Sequence, residues 1–323
     1  MLFKVIERDG PARIGEAIID KIEIKTPNIL FLNTKRFKSP SFASILITNI
    51  KIKSKKPILR FSENLLLQIM QEKNDKFYIV STNEKIINLN LKENTAKIFI
   101  VANTAQLLNQ PKKFVDFIIN LRKKIGYEKI IYLPSVGEPK NLALLTYLSV
   151  DFIDSIKAII AARNNILLFE NGSFKTDELV ENPCNCPSCI KINKKPSKMK
   201  FQDILSHNEY TINTEIKHIR NAISQENLRN LVENRIKVDP NLTAILRNFD
   251  RYHYDFLEKR TPITNKGKII ATTLESLNRP EIKRFQERVI NRYKKPKSAK
   301  ILLLLPCSAK KPYSFSKSHK LAP

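Results

Sequence analysis

Through the first 170 residues, short unbroken apolar runs alternate with stretches whose apolar residues recur every three or four positions. Runs such as "ASILITNI" (43–50), "KIFIVAN" (97–103), "KIIYLPS" (129–135) and "ILLFENG" (166–172) are β-branched and do not alternate with polar residues. That pattern predicts parallel strands buried on both faces. Between them, Phe114, Phe117, Ile118, Leu121 and Ile125 share one helical face that ends at Gly126, where a glycine can close the last turn. "PKNLALLTYLS" (139–149) predicts a second helix of this kind. Strand–helix alternation implies an α/β fold, either layered or closed into a barrel, and the length suits a barrel.

From about residue 173 the period changes. "EIKHIRNAI" (215–223) and "ENLRNLVENRI" (226–236) have helical spacing, and 240–298 is basic and polar, with "RTPITNKGK" (260–268) as a loop. "KKPKSAK" (294–300) predicts a linker, and "ILLLL" (301–305) a new buried strand. The segmentation is therefore an α/β barrel over 1–172, a cysteine-bearing subdomain over 173–240, a basic helical connector over 241–298, and the incomplete start of a further α/β domain over 299–323.

Composition narrows the function. Apolar residues make up 42%, enough for a globular core. Lys+Arg 57 against Asp+Glu 31 leaves +26, which favours a polyanionic partner, nucleic acid before others. "MLFKVIERDG" has no apolar stretch of signal-peptide length, and no window reaches the apolar length of a membrane span. The expectation is a cytoplasmic protein without membrane attachment.

Cys184, Cys186 and Cys189 form C-x-C-x-x-C within "PCNCPSC". Three thiolates within six residues need one more ligand to close a tetrahedral shell, so a structural zinc is expected. His207 is the first candidate for the fourth ligand, His218 the alternative, and Cys307 a distant third. A closed Cys₃His shell leaves no open position for chemistry.

The cysteine cluster followed by "HN" and "IRNAI" resembles the zinc subdomain of the tRNA-guanine transglycosylase family, its archaeal branch above all. "YLSVDFIDSIKAIIAARNN" is similar to the barrel strand that carries that family's nucleophilic aspartate, and Asp154 matches its position. "RDGPARIG" (8–15) and "RPEIKRF" (279–285) resemble the archaeosine synthase paralogues. So does the ungapped C-terminal pattern of Pro306, Cys307, Lys311, Pro312, Tyr313, Ser316 and His319. The resemblance implies a transglycosylase-type TIM barrel acting on tRNA. The family's Asp-Ser-Gly purine loop has no counterpart: "RFSENLLLQ" (60–68) stands in its place.

The implied reaction converts 7-cyano-7-deazaguanine in tRNA towards archaeosine, with lysine, glutamine or ammonia supplying nitrogen to the nitrile. Cys307 would be the nucleophile. His319 would move protons, Lys310, Lys311 or a protonated His319 would lower the thiol's pKa, Tyr313 and Ser316 would orient the base or the donor, and Asp154 would be a retained barrel carboxylate. The alternatives are base exchange by an active transglycosylase and a non-catalytic tRNA-binding subunit. In the family the domain begun by "ILLLLPCS" continues, so either a separately encoded chain completes the site or the chain is a truncated product. The resemblance also leaves open a homodimer paired through the zinc region.

Overall fold

The computed structural model describes residues 3–19, 21–60, 77–82, 95–192, 195–305, 307–308 and 312–320. The chain divides into two compact units, 1–283 and 284–323.

The first unit opens with strands β1 (Phe3–Asp9), β2 (Ala12–Ile19) and β3 (Ile22–Thr26), an antiparallel three-stranded sheet. Gly10 turns the chain between β1 and β2 at φ +57°, and a Cβ there would stand 3.3 Å from the Tyr147 ring. The series continues through β4 (Asn28–Leu32), β5 (Ile45–Thr48), β6 (Ile58–Arg60), β7 (Phe77–Val80) and β8 (Ile98–Val101). Then come α1 (Thr104–Leu108), α2 (Pro111–Ile125), β9 (Ile130–Leu133), α3 (Pro139–Tyr147), β10 (Phe152–Asp154) and α4 (Ile156–Arg163).

Strands β4 to β10 form one parallel sheet in the order β6-β5-β4-β10-β9-β8-β7. Consecutive strands are neighbours, and the first and last of the series also pair. That cyclic order is the order of a (β/α) barrel. Among the described residues only the β6–β7 step is unpaired, and residues 61–76 between those strands lie outside the described residues. Every residue of β4, β5, β8, β9 and β10 is buried, as the unalternating apolar runs predict. Helix α2 buries Phe114, Phe117, Ile118, Leu121 and Ile125, the face read from the sequence.

One predicted strand belongs elsewhere. β11 (Ile166–Phe169) does not join the parallel sheet but forms an antiparallel hairpin with β12 (Gly172–Lys175). The two-residue turn of Glu170 and Asn171 sets the antiparallel pairing with β12, because a parallel partner needs a longer crossover. The hairpin is followed by α5 (Pro187–Ile192), α6 (Phe201–Ser224), α7 (Leu228–Arg235), α8 (Pro240–Tyr252), α9 (Tyr254–Glu258) and α10 (Pro280–Arg292). Helix α10 runs across the boundary between the units. No helix among the described residues is long and apolar enough to cross a membrane.

The segments 8–15 and 279–285 act as clamps. Arg13 donates to Asp151 through Nε at 2.8 Å and Nη2 at 2.9 Å, and Arg122 donates to the same carboxylate at 2.8 Å. The Nη groups of the two guanidiniums also reach the carbonyls of Gly126, Tyr127, Lys129 and Ser149, while the buried Arg122 Nε has no hydrogen-bond partner among the described residues. Burial pushes the Asp151 carboxyl up, but the charges of Arg13 and Arg122 outweigh it and hold it below the usual range. Burial and the neighbouring Arg13 lower Arg122 to about 9. This knot ties the N-terminal sheet to the barrel. Asp9 accepts the backbone N–H of Leu228 at 2.6 Å, which caps α7 from a distant strand. Arg279 closes a fork on Glu233 with both bonds at 2.7 Å, and Glu233 also meets Arg229, itself paired with Asp250.

In the second unit, α10 is followed by the predicted linker, which has no regular structure, and by residues 301–305. These five apolar residues were expected to be a buried strand. They are 46–87% exposed and unpaired among the described residues. Hydrophobicity alone does not make a strand; it needs neighbours for its backbone donors and acceptors. The unit ends in a 3₁₀ turn, Tyr313–Phe315, and α11 (Lys317–Lys320).

Candidate functional site

The cysteine cluster forms where the hairpin, α5 and α6 meet. Cys184 and Cys186 lie in the loop before α5, Cys189 in α5 and His207 in α6. Their donor atoms all lie within 4.8 Å of one another. His207 Nδ1 is 3.4 Å from Cys189 Sγ and 3.8 Å from Cys186 Sγ. A tetrahedral shell of three thiolates and one imidazole has edges of about 3.5–3.8 Å, so these four residues fit a metal ion. His207 Nε2 faces the Leu168 carbonyl at 3.2 Å, which fixes the tautomer that leaves Nδ1 for the ion. The neighbouring Asn208 accepts from the Leu168 N–H at 2.9 Å and donates to the Ile166 carbonyl at 3.0 Å. The "HN" pair therefore holds both the ligand and the free edge of β11.

Hydrogen bonds from Cys184 and Cys189 lower Cys186, while the same pairing raises Cys189. Burial pulls the His207 imidazole down, but Cys184 and Cys186 outweigh it and raise it to about 9. His218 takes no part. It is half-exposed, 3.6 Å from Glu215, on the wall of a cavity of about 450 Å³ beside Cys184 and Cys186. The cluster found among the described residues has Cys184, Cys186, Cys189 and His207 as its members.

Asp154 stands at the C-terminal end of β10, where barrel folds carry their catalytic groups. Its carboxylate is fully buried. It accepts from Tyr132 Oη at 2.6 Å, from the Ser135 backbone N–H at 3.0 and 3.1 Å, and from the Ile156 N–H at 2.9 Å. Burial raises it to about 6 against the pull of these donors. Tyr132, which sequence reasoning did not single out, is pushed well up by burial and by Asp154. "RFSENLLLQ" lies outside the described residues apart from Arg60.

In the C-terminal unit, Tyr313 stacks on His319 with centroids 4.5 Å apart and planes at 10°. Ser308 Oγ donates to the buried Ser316 Oγ at 2.8 Å, which folds the segment back on itself beside Cys307. Cys307 itself is exposed. Lys311 and Pro306 lie outside the described residues.

Two family models match this chain. One, described as queuine tRNA-ribosyltransferase, covers residues 63–241, more than half the chain. The other, a domain of unknown function (DUF5591), covers 282–322. An archaeosine synthase subunit alpha of Methanosarcina acetivorans is 36% identical over 69% of the chain and 36% of its own length. An archaeosine synthase of Haloferax volcanii is 32% identical over 70% of the chain and 38% of its own. A tRNA-guanine(15) transglycosylase of Methanococcus vannielii is 32% identical, with the same two shares. The chain thus spans little more than a third of the relatives it matches. With a barrel-ordered sheet, a Cys₃His cluster and an aspartate at the end of β10, the chain belongs to the queuine tRNA-ribosyltransferase family.

Proposed function

We propose that this chain works in tRNA modification, converting 7-cyano-7-deazaguanine in tRNA towards archaeosine by adding a nitrogen donor to the nitrile. The observation that carries the reading is a combination. A transglycosylase-type barrel and a C-terminal segment that carries an exposed Cys307 and a stacked Tyr313–His319 pair occur in one chain. The similarity to two archaeosine synthases supports it.

Cys307 supplies the nucleophile. Its thiolate adds to the nitrile carbon, and the imide nitrogen takes a proton to give a thioimidate. The amine of lysine, glutamine's released ammonia or free ammonia then attacks that carbon. The C–S bond breaks, the thiolate returns and an amidine remains. His319, held flat against Tyr313, handles the protons; Lys311 favours the thiolate; and Ser316 holds the loop through Ser308. The metal is zinc, and its closed donor set holds the subdomain together. We take the protein to act in the cytoplasm with tRNA and with a partner subunit. One relative's designation as a subunit alpha supports that partner. Pairing of two copies through the zinc region is a further element of the reading.

Base exchange is the second reading. The position of Asp154 at the strand end favours it. The engagement of both carboxylate oxygens weighs against it, since a nucleophile needs a free lone pair aimed at substrate.

The test is nucleoside mass spectrometry of tRNA bearing 7-cyano-7-deazaguanine, incubated with the chain and lysine, glutamine or ammonium. The reading predicts a mass gain equal to the amine that adds, lysine or ammonia, lost in Cys307→Ala. Release of guanine against free deazapurine would assign the chain to base exchange instead.

A further inference from the structure

The three aromatic residues of "YHYDF" (252–256) have different surroundings. Phe256 is buried and Tyr254 half-buried, whereas Tyr252, at the end of α8, is 49% exposed. Lys112 Nζ, from the first turn of α2, lies 4.8 Å from the Tyr252 ring centroid, and the Arg251 guanidinium lies 5.4 Å from it. Further along the same α2–α8–α9 seam, Lys123 sits 5.8 Å from the Phe256 ring. Arg260 lies between Phe256 and Tyr127, at 4.1 and 4.0 Å.

These cations rest on rings and not on carboxylates. Among the described residues, Lys112, Lys123 and Arg251 form no ion pair with Asp or Glu. The nearby Asp116 is already joined to His253 at 2.7 Å. The seam thus carries cations outside ion pairs next to one exposed ring, the chemistry that binds unpaired nucleotides: bases stack on the ring and cations hold the backbone.

We propose that an unpaired nucleotide of the tRNA stacks its base on Tyr252, while Lys112 and Arg251 take the flanking phosphates. The inference rests on the reading of this chain as a tRNA-acting protein. An exposed cation–ring contact is worth only about two- to fivefold in an equilibrium. A stacked base is worth about five- to 150-fold. A base therefore displaces a flexible Lys or Arg from one ring face, and the freed cation becomes available to phosphate.

The experiment is anisotropy titration of the full chain with labelled tRNA and, separately, with a blunt RNA duplex that has no unpaired base. Tyr252→Ala should weaken tRNA binding about tenfold, and Tyr252→Phe by less than about twofold. Neither should alter duplex binding. Lys112→Ala should lower the slope of log affinity against log salt by about one. Thermal midpoints of the variants should match wild type, because the ring is half-exposed. Unchanged tRNA binding by Tyr252→Ala, with tight binding by wild type, overturns the surface and leaves the functional reading intact. An equal loss on duplex also overturns it. Displacement of tRNA by polyglutamate as effectively as by competitor RNA would assign the seam to an acidic protein. Failure of wild type to bind tRNA at all overturns both.

Discussion

Cys186 and Asp154 show how far single residues carry the account. The C-x-C-x-x-C spacing was legible because thiols are rare in this chain and cluster within one loop. The choice of His207 over His218 depended on which side of α6 faces β11, and its clearest marker was the asparagine that follows His207. Removing one ligand should cost several kcal/mol, because binding free energy at a structural site is folding free energy. Cys186→Ser should drop bound zinc from one per chain to well below it and lower the thermal midpoint by about 5–10 °C. Elemental analysis with thermal melting checks this. A chelated protein that melts like the loaded one would remove the structural role. For Asp154 the sequence revealed the position but not the surroundings, since Tyr132 and Ser135 reach it through tertiary folding alone. Asp154→Asn keeps an acceptor for the two backbone donors, and it should leave the nitrile reaction within about threefold of wild type. A loss beyond a hundredfold in kcat, with KM unchanged, would make Asp154 a catalytic group.

Elements were read well where their period was local and poorly where pairing decided. Helix α2 and the buried strands β5, β8 and β9 follow directly from apolar spacing. The reversal of β11 into a hairpin turned on a two-residue connection, and the exposure of 301–305 on the absence of described neighbours. Neither is written in hydrophobicity. The cap on α7 is likewise non-local: Asn227, at its N-cap, makes no side-chain cap, and Asp9 supplies the acceptor. Burial raises Asp9 from 3.8 to about 7, so the folded protein keeps a proton that the unfolded chain releases above about pH 4. The stability it contributes is complete below that pH and is lost as the pH rises to about 7. The size is roughly 2–4 kcal/mol. Wild type should therefore melt at progressively lower temperature between about pH 4 and 7, and Asp9→Asn should flatten that slope. A variant with the wild-type slope would move the pH dependence to another group. Arg279→Lys should destabilise by several kcal/mol, since a single ammonium cannot reproduce the fork on buried Glu233.

At the scale of the molecule, charge and architecture agree. A net charge of +26 was visible in composition, and it favours a polyanionic partner. tRNA affinity should fall at least about a hundredfold between 50 and 200 mM salt; a flat salt response would mean that phosphates are not the contact. The barrel order is the expected one, and the knot of Arg13, Arg122 and Asp151 binds the N-terminal sheet to it. The sequence carried the fold class because parallel strands buried on both faces are hard to disguise. The C-terminal pattern of Cys307, Tyr313, Ser316 and His319 was legible as a motif because these residues stand close together in the chain, and its chemistry is the proposal to be tested. The central claim is that the Cys307 thiolate attacks the nitrile while the base is still in tRNA. The most direct measurement is to withhold the nitrogen donor, mix the chain with tRNA bearing 7-cyano-7-deazaguanine, digest both, and search by mass spectrometry for a nucleoside attached through sulfur. The account predicts an adduct on the peptide containing Cys307, discharged when lysine or ammonium is added and missing in Cys307→Ala. Conversion of the nitrile with no adduct, and with Cys307→Ala as active as wild type, would contradict it.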